Sequence, residues 1–153
     1  MKSRPIESRS TIYEIIQKCE VCHVAMVDRE NKPYVLPFNF GFENGTIYLH
    51  SAPEGKKISI LEHNHQVCIA FSTDYLLRYQ HEEVACSWSM KYRSVLAYGH
   101  IEFLEDLTDK ARALNVIMKK YAGREYTFGR PALMNVKVYQ CVADRFEGRT
   151  YGY

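Results

Sequence analysis

Large apolar side chains alternate with small or polar ones over several short stretches of this chain, and follow helical spacing in only a few places. Tyr34, Leu36, Phe38, Phe40 and Phe42 fall at every second position of residues 33–42, the period of a half-buried strand. Residues 21–28 read as the strand before it, with 29–32 as the turn. Asn44-Gly45 is the strongest hairpin signal, because a two-residue turn of this type wants positive φ at both positions. Residues 46–51 then form the next strand, and further strands are expected over 66–72, along 84–105 as one long or bent unit, and over 136–147. Three helices fit the pattern. Thr11-Ile-Tyr-Glu14 makes a capping box for a face of Ile12, Ile15, Ile16 and Cys19. Residues 56–64 follow a turn through Pro53 and Gly55. Thr108 can cap a helix whose Ala111, Leu114, Ile117 or Met118, and Tyr121 share a face, with Gly123 at its C-terminal stop. Residues 73–83 and 124–132 read as loops.

No repeat, linker or low-complexity tract interrupts the chain, so a single domain over 1–153 is expected. Many strands, few helices and hairpin connections predict a mainly β fold with some helix: an antiparallel barrel with helices packed outside. Pro37 inside a strand predicts an edge or a bulge there.

Composition narrows the function classes. Lys plus Arg number 20 against 18 Asp plus Glu, and a net charge of +2 gives no electrostatic case for nucleic acid. Aromatic residues reach 13%, with 12 tyrosines, which suits a flat ligand or a large interface. The N-terminal residues hold no apolar segment of signal-peptide type, and no apolar run approaches the roughly 20 residues needed to span a bilayer. Five cysteines, an odd number and mostly far apart, argue against a disulfide framework. A cytoplasmic chain with reduced thiols is expected.

The most informative chemistry lies in His50-Ser-Ala-Pro-Glu-Gly-Lys56-Lys57. A strand ends in small residues, turns, and opens a helix on two lysines. Lysines are poorly placed at a helix N-terminus, where the macrodipole is positive and backbone N–H groups lack partners. A bound anion such as a phosphate reverses that penalty. A solvated turn with exposed lysines is the alternative. His50 shares a strand face with Tyr48 and stands just before this turn: a satisfied strand-end histidine by itself, or, beside a bound phosphate cofactor, a group aimed at whatever binds above its ring.

Other constellations are weaker. Cys19-Glu-Val-Cys22-His23 spells the C-x-x-C-H haem-attachment pattern, but it straddles a helix end and a strand start. Cys68, Cys86 and Cys141 sit singly on expected strands, where packing thiols are common. His63-Asn64-His65 suits a helix exit. No G-x-S-x-G elbow or phosphate-binding P-loop occurs, and no carboxylate pair stands out. In the run from Trp88 to Gly99, Val95, Ala97 and Gly99 occupy one strand face, and Leu96 and Tyr98 the other. A strand apolar on both faces must be covered twice, and a partner subunit is the economical cover. Arg93 and Ser94 could then reach a ligand at the seam.

Taken together, Pro37-Phe-Asn-Phe-Gly41, His50-Ser-Ala-Pro-Glu-Gly-Lys-Lys57 with Leu61 and Asn64, and Cys86-x-Trp88-x4-Arg93-Ser-Val95-x3-Gly99 resemble the flavin-binding split barrels related to pyridoxamine 5′-phosphate oxidase. They are most similar to its nitroimidazole-resistance (Nim-type) branch, and the resemblance covers nearly the whole chain. It implies a split β-barrel of antiparallel Greek-key type and a homodimer with FMN, or FAD if the seam leaves room, at the subunit interface. On that resemblance Lys56 and Lys57 hold the flavin phosphate, His50 and Ser51 flank the cofactor, and Pro37, Phe38 and Asn39 lie along the ring edge. Trp88, Arg93 and Ser94 contribute from the partner's side. The oxidase proper has an arginine where this chain has Lys56, and a C-terminal tryptophan where this chain has none. The Nim-type branch implies reduction of the nitro group of 5-nitroimidazoles, with His50 giving a proton or hydrogen bond to the acceptor. A flavin-binding or redox-sensing module without turnover is the alternative, and a haem-handling split barrel a further one.

Overall fold

In the computed structural model, which describes residues 2–153, the strands are β1 (Ser3–Ile6), β2 (Cys22–Val27), β3 (Pro33–Phe38), β4 (Gly41–Glu43), β5 (Thr46–Ser51), β6 (Gln66–Arg78), β7 (Ser89–Leu104) and β8 (Lys137–Tyr151). The helices are α1 (Arg9–Lys18), α2 (Lys56–His63), α3 (Leu107–Ala122) and α4 (Arg130–Met134). All strands join one antiparallel sheet in the order β3-β2-β6-β7-β8-β5-β4, with β1 paired on the end of β8. This is the mainly antiparallel, helix-flanked architecture of a split barrel.

Residues paired across antiparallel strands share a face, so the registers sort the side chains. Leu36, Val24, Ile69, Ala97 and Phe146 form one inward row across β3, β2, β6, β7 and β8. They belong to a core with fully buried Phe40, Phe71 and Tyr139, which α1 closes with Ile12, Ile15 and Ile16. Burying each such side chain contributes about 1.5–3 kcal/mol. A smaller cluster lies beneath α3 and α4, built on Tyr48, Leu114, Ile117, Leu133 and Val138.

The turn chemistry follows the sequence closely. Asn44 and Gly45 take φ of 50° and 81°, as the two-residue hairpin requires. Pro37 lies on β3, an edge strand, where its missing N–H leaves no gap in a ladder. Gly123 takes φ of 71° at the end of α3.

Both proposed caps shift towards the N-terminus. Ser8, not Thr11, caps α1, and Asp106, not Thr108, caps α3 by accepting from the Asp109 amide. The expected strand over 33–42 breaks at Asn39 and Phe40, where the chain passes from one sheet edge to the other. The polar stretch after residue 72 is largely strand: a bulge with Asp74 at φ 58° lets Leu76, Leu77 and Arg78 rejoin β7. Part of the second expected loop is helix α4, anchored by buried Leu133 and by Lys110, whose ammonium donates to the Leu133 carbonyl at 2.6 Å.

Candidate functional site

β5 ends at Ser51, and the chain turns into α2 through Pro53 and Gly55. Gly55 is the N-cap with φ of 129°, a conformation that side chains disfavour, and it offers the first-turn amides no side-chain cap. A Cβ added to Gly55 would meet nothing within 4 Å, so the approach to these amides is open. α2 has no acidic residue in its first turn. Lys56 and Lys57 therefore add positive charge where the helix dipole is already positive.

Both lysines fold back over aromatic rings of β3. The Lys56 ammonium lies 4.6 Å from the Tyr34 ring centre, and that of Lys57 lies 5.8 Å from the Phe38 ring centre. Such contacts contribute about 0.5–1 kcal/mol at exposed sites and hold the start of α2 against the edge strand. Phe38 meets Tyr139 edge to face at 6.3 Å, and the Tyr139 hydroxyl donates to Ser51 Oγ at 3.1 Å. Phe38, Ser51 and Lys57 are thus gathered around one buried tyrosine. Burial pushes the Tyr139 phenol up to about 12, so it remains a donor. Lys137 stands opposite Ser51 on β8, with its ammonium 4.6 Å over Phe103 and 3.6 Å from the Glu105 carboxylate. Tyr139 and Lys137 carry no local signal in the sequence. Only the register of β5 on β8 brings them beside Ser51, and no local motif marks that register.

His50 shares its face with Tyr48 and pairs with Val138, on the side that α3 and α4 cover, whereas Ser51 turns the other way towards Tyr139. Its Nδ1 is the one buried side-chain nitrogen or oxygen among the described residues without a hydrogen-bond partner. Burial holds the imidazole below the ordinary histidine range. Pro37 is exposed on the outward face of β3, and Asn39 is exposed in the crossing between the sheet edges.

The remaining residues lie elsewhere in the chain. Arg93 is fixed by the Asp74 carboxylate at 2.7 Å and by the Tyr153 ring at 3.8 Å. With Asp74, Tyr13, Glu14 and Phe42 it lines a cavity of about 830 Å³ beside α1, to which neither β3 nor α2 contributes. Ser94 pairs with Ser72. Trp88 stacks on Tyr79 at 4.2 Å and donates its indole N–H to the Glu82 carbonyl near the tip of the β6–β7 hairpin. Among the described residues, no hydrogen bond, ion pair or ring contact joins Trp88, Arg93 or Ser94 to the α2 corner of the same chain.

The cysteines separate cleanly. Cys19, Cys22 and Cys141 are buried, and burial raises their thiols, those of Cys22 and Cys141 to about 12. Cys86 departs from the packing role expected of it and is exposed on a short 3-10 turn, Ala85–Ser87. Cys22 faces the core while His23 faces outward, so the C-x-x-C-H residues do not converge. No cluster of three or more His, Cys, Asp or Glu side chains able to hold a metal occurs among the described residues. No helix among them is long and apolar enough to cross a membrane.

Against known proteins, the model of the pyridoxamine 5′-phosphate oxidase family matches residues 8–150. The chain belongs to that family. Among solved structures, it is 43% identical to a candidate 5-nitroimidazole antibiotic resistance protein from Bacteroides thetaiotaomicron. That match covers 97% of this chain and 87% of the other, with a TM-score of 0.88. The same fold recurs in the flavocytochrome Anf3 from Azotobacter vinelandii, at 20% identity over 99% of this chain and 70% of that one, with a TM-score of 0.80. It recurs also in an FAD and haem binding protein from Mycobacterium smegmatis, at 16% identity over 100% and 75%, with a TM-score of 0.83. No curated protein sequence matches the chain.

Proposed function

We propose that this chain is a flavin-dependent reductase of nitro compounds, binding FMN at the start of α2 and working as a cytoplasmic homodimer. The observation that carries the flavin assignment is the open, uncapped and lysine-flanked N-terminus of α2 in a member of this family. The substrate class rests on the 43% identical B. thetaiotaomicron protein.

In this reading the first-turn amides of α2, Lys56 and Lys57 hold the phosphate, in the manner of helix N-termini generally. Ser51, fixed by Tyr139, orders the turn beneath it. Pro37, Phe38 and Asn39 border the ring. His50 is taken from the family resemblance as the group that hydrogen-bonds the acceptor; its unpartnered Nδ1 is buried on the face that α3 and α4 cover. When bound, reduced flavin supplies the electrons that the nitro group takes up, while the protein positions and shields the reactants.

A second copy supports the site from its other side. Pro37, His23, Ala70, Leu96 and Glu147 form one outward row across β3, β2, β6, β7 and β8, and Val35, Ala25, Cys68, Tyr98 and Arg145 form the next. The middle of this face is apolar and only half buried in one chain. Leu96 and Tyr98 are the second apolar face of β7, and a partner covers it. The same docking brings Trp88, Arg93 and Ser94 of each copy to the other's cofactor. A cytoplasmic setting agrees with five unpaired cysteines.

Anaerobic reoxidation tests the activity. The purified protein with its flavin chemically reduced is mixed with metronidazole. Rapid reoxidation with conversion of the nitro group is expected. A flavin that stays reduced would instead leave a flavin-binding or redox-sensing module without turnover.

A further inference from the structure

The two edges of the sheet, β3 and β4, are consecutive in the chain, and only Asn39 and Phe40 join them. The crossing lies between ladders, so its backbone groups need partners from elsewhere. The C-terminal half of α3 supplies them. The Phe40 N–H donates to the Tyr121 hydroxyl at 3.1 Å, and that hydroxyl donates onward to the Glu20 carbonyl at 2.6 Å. The neighbouring Lys120 ammonium donates to the Gln17 carbonyl at 2.7 Å and lies 4.6 Å over the Phe40 ring. One residue past Phe40, the helix backbone touches the chain. A Cβ on Gly41 would fall 2.8 Å from the Ile117 nitrogen and 2.9 Å from the Val116 carbonyl carbon, so only glycine fits. Three contacts thus tie α3 to the crossing and the first residue of β4, and two of the side chains also reach the end of α1 (Gln17) and the α1–β2 turn (Glu20).

Room to move lies alongside. A cavity of about 560 Å³ runs past Asn39, Glu20, Lys120 and Tyr121. The crossing is therefore held on one side by hydrogen bonds rather than by close packing all round. Although Tyr121 is 41% exposed, its hydroxyl is used both as acceptor and as donor. Burial raises that phenol further above the physiological range, so the group stays protonated and can donate and accept together.

We infer that Tyr121 is a positioning residue. Its hydroxyl fixes the Asn39–Phe40 crossing, and with it the placement of Pro37, Phe38 and Asn39 along the flavin ring. The inference rests on the flavin assignment above, and it adds a residue on a different element from the phosphate grip.

Tyr121→Phe in the full chain tests it, since the variant keeps the ring and removes only the bridging oxygen. Without flavin, hydrogen exchange at the Phe40 amide should quicken by about five- to tenfold, the loss of one ordinary hydrogen bond, while α2 amides exchange as in the wild type. With flavin, the variant should keep its stoichiometry but change the visible-region circular dichroism of the bound ring. Unchanged exchange at Phe40 overturns the inference. Faster exchange with a wild-type flavin spectrum overturns it too, leaving Tyr121 a strut of the fold alone. A wild-type protein that binds no flavin overturns the flavin assignment itself, a result visible before the variant is made.

Discussion

A buried imidazole nitrogen without a partner costs about 1–3 kcal/mol, and His50 bears that cost at the end of β5. Its pH dependence follows from burial. In the unfolded chain His50 takes up a proton near pH 6.5, while in the fold it resists doing so. Its contribution to stability is therefore complete above about pH 6.5 and is lost as pH falls towards the lower folded value. Urea unfolding should accordingly show a shallower loss of stability between about pH 6.5 and 5 in His50→Gln than in the wild type. Identical slopes would mean that the imidazole is not held neutral. At this scale, Phe38 and Ser51 enter only through the family resemblance, whereas Lys56, Lys57 and His50 could be singled out because charge, spacing and turn chemistry are local. Tyr139 and Lys137 could not, since each becomes a neighbour of Ser51 only through pairing across nearly ninety residues. Helical spacing places Tyr121 on a face of its helix, and its bridging hydroxyl depends on where α3 docks.

Among the elements, α2 shows how a local conflict can mark a site. A helix that opens on two lysines with glycine as its cap gives up two ordinary stabilisers, an acidic first turn and a capping oxygen. The folded chain recovers part of that loss through the Tyr34 and Phe38 rings. The strands over 22–27 and 46–51 fall nearly where expected: burial alternates along β2, and the Asn44-Gly45 turn marks the start of β5, which is buried on both faces at Ile47, Tyr48 and Leu49. Period-two patterning missed β1, whose residues are exposed or half buried and which is specified by pairing with β8. It also stopped β6 too early. Beyond residue 73 the strand leaves the core, so Tyr75, Leu76 and Leu77 stand exposed in a row without alternation, and only past the bulge at Asp74 does the strand rejoin β7.

At the scale of the whole molecule, the proposed dimer would bring Trp88, Arg93 and Ser94 of one copy to the α2 corner of the other. The apolar outward face around Leu96 and Tyr98 is the surface that would be covered. Leu96→Glu should convert a dimer into a monomer in analytical ultracentrifugation and weaken flavin retention with it. A Leu96→Glu protein that remains dimeric would place the interface elsewhere. The grip on the phosphate is the centre of the account, and flavin content per chain after gel filtration tests it most directly. The wild type should retain close to one flavin per chain, and the folded Lys56→Ala, Lys57→Ala double variant should lose nearly all of it. A double variant that emerges fully yellow would contradict the assignment of α2 as the phosphate site.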